Sequence, residues 1–173
     1  MKIILTVLVL ALCLTGCGTE ETFEYVEDVQ MVEPVAACQQ FMVRLPEDAA
    51  APTFQDDTGA ELYVCQGYTI SKQIFGGGDL EKTVKTLTGK PSEELQIIKT
   101  VHDTHDRYDF VWTAAGEEGL QLGRACILDD GNYHYTLSTL AQEQASGALQ
   151  KTFSDMYDSC KLISPEVNLR TGS

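Results

Sequence analysis

Two histidines and two aspartates fall within five residues, His102-Asp103-Thr104-His105-Asp106, the densest group of potential metal ligands in the chain. A catalytic metal site takes three protein ligands, each oriented by further hydrogen bonds, and the remaining histidine is His134. On a helix His102 and His105 would share a face. The segment has no apolar periodicity and precedes a strand pattern, so it reads as an exposed polar turn. His134 alternates with Tyr133 and Tyr135, which directs it outward or towards a helix if the tyrosines face the core. Gly76-Gly77-Gly78-Asp79 opens a helix pattern, as phosphate-cradling loops do, but no Lys-Ser/Thr pair follows and Asp79 sets a carboxylate where the anion would sit. No serine occupies a Gly-x-Ser-x-Gly elbow, and Ser138 and Ser159 have no base that sequence identifies. Glu117-Glu118 and Asp129-Asp130 fall in hairpin turns, where solvation leaves carboxylates ordinary. The sequence thus assigns no catalytic residue and no cofactor. Its metal candidates are His102, Asp103, His105 and Asp106, and it favours a binding role over an enzyme.

The elements that would position these residues centre on 107–140. Tyr108, Phe110 and Trp112 alternate against Asp109, Val111 and Thr113, the period of a half-buried strand. A turn at 115–119, a strand from Leu120 to Leu128, an Asp129-Asp130-Gly131-Asn132 hairpin signal and a strand from Tyr133 to Leu140 complete a meander. Upstream, Phe41 to Leu45 reads as a strand stopped by Pro46, and Glu47 to Gly59 as a loop. Leu62–Cys65 and Tyr68–Phe75 read as a hairpin about Gln66-Gly67. Asp79 caps a helix with a Leu80, Val84, Leu87 stripe that ends at Gly89. A turn at Pro91–Glu94 leads to a strand from Leu95 to Val101. A closing helix runs from Ala145 to Ser159 with Leu149, Phe153, Met156 and Tyr157 towards the core. The expected fold is α+β, a mostly antiparallel sheet of about six or seven strands flanked by two main helices.

The chain of 173 residues, 43% hydrophobic, suffices for one domain with a real core. Its 12 Lys and Arg stand against 26 Asp and Glu, a balance that repels nucleic acid and anionic lipid surfaces alike. Lys2 precedes the apolar run Ile3–Leu14, of signal-peptide length and too short to span a bilayer. Leu14-Thr15-Gly16-Cys17 resembles the lipobox of bacterial lipoprotein signal peptides. The resemblance implies cleavage before Cys17 and lipidation of Cys17, with two acyl chains for stable anchoring. The expected organisation is a signal peptide at 1–16 and an acidic tether at 17–37, part of which could pair as an edge strand. A single domain at 38–163 and a tail at 164–173 follow. The expected location is the outer face of the cytoplasmic membrane. Once Cys13 leaves and Cys17 is lipidated, Cys38, Cys65, Cys126 and Cys160 remain, and four cysteines allow three pairings. Cys38 with Cys160 would tie the domain's ends and Cys65 with Cys126 would bridge neighbouring strands; buried free thiols at Cys65 and Cys126 are the competing reading. No Cys-x-x-Cys occurs.

Phe41-x-Val43-x-Leu45-Pro46 at the start and Phe153 to Leu162 at the end make the order of elements resemble the PsbP/Mog1-like sandwich. Arg107-Tyr108-Asp109-x-Val111-Trp112 and Leu128-Asp129-Asp130-Gly131-Asn132-Tyr133-His134-Tyr135 are similar to uncharacterised lipoproteins of gut Firmicutes. The PsbP-like resemblance implies an accessory or binding role, and fold alone does not fix function. The leading expectation is therefore a non-catalytic, lipid-anchored module of the cell envelope with an envelope protein as partner and no nucleic-acid partner. A small-ligand or metal binder, or a hydrolase whose site is scattered along the chain, are the alternatives.

Overall fold

The computed structural model describes residues 37–116 and 119–164. The signal segment, Cys17, the tether before residue 37, Glu117-Glu118 and the tail beyond Ser164 lie outside the described residues. Those described belong to one unit, 35–173. Its strands are β1 (Gln40–Met42), β2 (Phe54–Gln55), β3 (Glu61–Cys65), β4 (Tyr68–Gly76), β5 (Ile98–Val101), β6 (Asp106–Gly116), β7 (Gly119–Asp129), β8 (Tyr133–Gln142) and β9 (Lys161–Ile163). Helix α1 (Leu80–Thr88) lies between β4 and β5, and α2 (Glu143–Asp158) between β8 and β9. Seven strands pair in the order β2-β3-β4-β8-β7-β6-β5, antiparallel throughout, and β1 pairs with β9 in a separate two-stranded ribbon. This is the α+β arrangement expected, a sheet with two main helices.

Both faces of the sheet are covered, which explains why β7 reads as the unbroken apolar run Ala125-Cys126-Ile127-Leu128 rather than an alternation. Ala125 and Ile127 join Val84 of α1, Phe110 and Trp112 in one core. Cys126 and Leu128 point the other way, joining Tyr135, Leu137, Phe153, Met156 and Tyr157 under α2. The ends of α1 follow local chemistry: Asp79 Oδ1 accepts from the Lys82 amide at 2.9 Å, and Gly89 takes φ 73° while its amide returns to Lys85 O.

Several boundaries differ from expectation. β9 and β2 have three and two residues, too few to show a period, and exist only through pairing with β1 and β3. β5 starts at Ile98 rather than Leu95, because Leu95 and Ile97 turn inward against the α1 core. Helix α2 begins at Glu143, directly after β8 and with no side-chain cap, so no turn residue marks its start.

The expected cysteine pairs require correction, since all four described thiols are free. β4 and β8 lie between β3 and β7, so Cys65 and Cys126 are about three strand spacings apart, on the order of 14 Å. A disulfide holds its Cα atoms within about 7 Å. Cys38 and Cys160 flank the two strands of the ribbon, but the register Met42↔Lys161 sets Val43 opposite Cys160. Cys38 is five residues further along, roughly 16 Å away.

Candidate binding cleft

His102, Asp103, His105 and Asp106 do lie at a hairpin turn, between β5 and β6, closed by the His102 amide donating to His105 O at 3.0 Å. The two imidazoles stack with centroids 4.9 Å apart and planes at 24°, and Asp106 is held by Lys99 at 2.7 Å. Burial, then the neighbouring His102, push the His105 pKa down. No group of three or more His, Cys, Asp or Glu is positioned to hold a metal ion among the described residues.

The glycine loop serves the hairpin instead of an anion. The Gly77 amide donates to Asn132 O at 2.7 Å, and a Cβ on Gly77 would stand 2.6 Å from the Asn132 carbonyl carbon. Only glycine lets the two backbones approach so closely. With the Asp79 carboxylate already on the α1 amide, the helix start is occupied by the chain's own anion.

His134 faces α1, and its neighbours form an acid–imidazole–hydroxyl set that spacing did not reveal. Its Nε2 stands 3.5 Å from Asp129 Oδ2, and its Nδ1 is 2.8 Å from Thr83 Oγ1. With an Nε2 proton directed at the carboxylate, Nδ1 accepts from the threonine. A nucleophile must reach substrate, yet Thr83 is 4% and His134 1% exposed. The set is a brace joining α1 to the β7–β8 hairpin. Thr83→Val, close to isosteric, strands a buried ring nitrogen and should cost about 1–3 kcal/mol in urea unfolding. A loss under half a kcal/mol would show that the brace carries no load.

A different place has the geometry of a binding site. β5 pairs only with Asp106–Asp109 of β6, so from Phe110 onward the outer edge of β6 has no strand partner among the described residues. There, residues 94–96 diverge from the sheet and a cleft of about 600 Å³ opens, walled on its far side by α2 at Gly147, Gln150 and Phe153. Ligand pockets commonly hold about 300–1,000 Å³. Trp112 lies against Gly123 so closely that any Cβ there would strike the indole. Val111 on the opposite face is 64% exposed.

Two cations reach the cleft, Lys90 and Arg124. The Arg124 guanidinium sits 4.4 Å over the Tyr157 ring. Tyr157 Oη donates to Arg124 O at 2.6 Å and lies 3.0 Å from Thr139 Oγ1. Burial pushes the Tyr157 pKa up, so the phenol stays a donor. Neither Lys90 nor Arg124 has an ion pair among the described residues, although acids outnumber bases 26 to 12 in the chain. Glu94 lines the same cleft, leaving two cations to one acid, which suits an extended, partly apolar occupant carrying negative charge. Sequence reasoning missed it because the cleft exists only where β5 stops.

No protein-family model matches the chain, and the comparison with curated proteins finds no match. Solved structures do resemble it. LpqN of Mycobacterium tuberculosis, described as involved in cell envelope biogenesis, shares 12% identity over 74% of this chain and 85% of its own, with a TM-score of 0.50. The cyanobacterial PsbP of Synechocystis, CyanoP, shares 10% over 71% and 82%, with a TM-score of 0.45. At such identities the likeness to LpqN is one of fold. No described helix is long and apolar enough to cross a membrane.

Proposed function

We propose that this chain is a non-catalytic module of the bacterial cell envelope, anchored outside the cytoplasmic membrane by lipid on Cys17. Its cleft takes an extended, acidic segment of an envelope protein. Among the described residues, the edge of β6 beyond Asp109 has no strand partner and neither Lys90 nor Arg124 beside it has an ion pair, and this carries the reading. An open edge offers a row of backbone donors and acceptors to an incoming strand, and exposed apolar edges left bare invite self-association. Arg124 and Lys90 would select negative charge on the added segment. The lipobox supports the anchor, and the LpqN likeness is consistent with an envelope role.

A photo-crosslinking residue at Thr113, in the full lipidated chain within its native envelope, tests the reading. The expected result is one protein crosslinked through a segment with acidic residues, with yield falling at least tenfold in Arg124→Glu. Crosslinks spread over many unrelated proteins, or a yield indifferent to Arg124→Glu, would overturn it.

A further inference from the structure

Cys126 and Cys160, each expected to pair with a different cysteine, lie in one core beneath the end of α2. Cys126 points from β7 into the α2 core with no exposure, and half-buried Cys160 packs against that core. Both side chains belong to the one core beneath α2, where Cys160 Sγ also lies 3.8 Å from Met156 O. The last turn of α2 holds Cys160 in place, its amide donating to Tyr157 O at 3.3 Å. Arg107 pins that turn to the sheet. It grips Asp109 through Nε at 2.7 Å and Nη2 at 2.9 Å while Nη1 donates to Tyr157 O at 3.1 Å. Asp109 is the residue directly across from Cys126 in the β6–β7 register. Two thiols are thus brought together by separate elements, one on an interior strand of the sheet and one at a helix end that a guanidinium keeps from swinging away.

We propose that Cys126 and Cys160 are an oxidisable pair that closes into a disulfide joining β7 to the end of α2. Cys160 is the reachable thiol and reacts first. Its thiolate attacks one sulfur of an oxidant disulfide, a protein disulfide oxidant or a small-molecule disulfide, forming a mixed disulfide and releasing one thiol. The Cys126 thiolate then attacks the Cys160 sulfur, forming the internal bond and releasing the second thiol. Two electrons and two protons pass to the oxidant, whose disulfide becomes two thiols. The neighbouring Cys160 thiol, then burial, push the Cys126 pKa up, in keeping with Cys160 as the first to react. The closed loop spans Cys126 to Cys160 and contains β8 and α2, so oxidation removes freedom from the unfolded chain. It also fixes the helix that walls the cleft. The chemistry stands on this geometry whether or not the cleft binds a protein segment.

The test is exposure of the full chain to glutathione disulfide, followed by alkylation and peptide mapping without reduction. The expected product is a Cys126–Cys160 linked peptide, two hydrogens lighter than the reduced pair, with Cys38 and Cys65 alkylated or carrying glutathione. Oxidised protein should have its unfolding equilibrium shifted towards the folded state by about a hundredfold or more. Cys126→Ser should stop at a glutathione adduct on Cys160. Should that variant fail to fold, Cys160→Ser should instead leave Cys126 unmodified in folded protein. Wild-type protein that accumulates the Cys160 adduct without closing the bond, or that links either cysteine to Cys38 or Cys65, would overturn the proposal.

Discussion

Replacing Tyr157 by alanine is expected to cost about 3–5 kcal/mol, the usual penalty for removing a buried aromatic ring. The ring is fully buried between α2 and the sheet, so its loss leaves a cavity where helix and strands are joined. It also removes the surface under the Arg124 guanidinium and a donor to the Arg124 carbonyl. Tyr157→Phe separates these contributions. It keeps the ring and cation contact but removes the hydroxyl, which takes a partner from buried Thr139 and a second donor from the Arg124 carbonyl, and should cost about 1–3 kcal/mol. Urea unfolding of both variants, with unchanged slope, reads the two values. Equal losses would mean that the hydroxyl alone matters and that ring packing contributes nothing.

Gly123→Ala should be as damaging as many large core truncations, although it adds one methyl group. The backbone at Gly123 does not take a positive φ, so conformation is not the constraint. The constraint is the Trp112 indole, which occupies the space where a Cβ would be. Either the strands part or the ring leaves a site where it is 6% exposed. Overpacking of this kind costs about 1–3 kcal/mol or more. The chain has a single tryptophan, so its fluorescence reports the outcome directly. Emission should shift to the red in Gly123→Ala, and the stability loss should shrink when Trp112→Leu is present as well. Additive losses in that double-mutant cycle would exclude the collision as the cause.

What could be read from the sequence followed from local chemistry. The period of two in Tyr108, Phe110 and Trp112, the Asp79 cap and the Gly89 stop each depend on residues within one turn or one strand, and the structure has β6 and α1 there. β9 depends on Phe41 facing Leu162, more than a hundred residues apart, and three residues display no pattern of their own. The cysteine neighbours were illegible for a related reason. Both expected pairs follow from order along the chain, while the actual neighbour of Cys126 is decided by strand order and by which face β7 turns to α2. The Thr83–His134–Asp129 set joins residues from three elements, α1, β7 and β8. A signal for it did exist, since Tyr133 to Ala141 is apolar or hydroxylated on both alternations, which marks a strand covered on both faces and hence a buried His134. The cleft is written nowhere in a window of residues, because it is the space left when β5 ends before β6 does.

The β1–β9 ribbon also has a mechanical meaning. Force applied from the N-terminal side enters β1 at Gln40, whereas β9 receives its resistance from α2 at Lys161, the opposite end of the ribbon. The three residue pairs are therefore loaded in shear, all at once, rather than peeled one after another. With Cys160 bonded to Cys126, that tension would pass from the ribbon into β7, an interior strand of the sheet, and bypass the helix altogether. Oxidation would then set how hard the domain can be pulled before it yields.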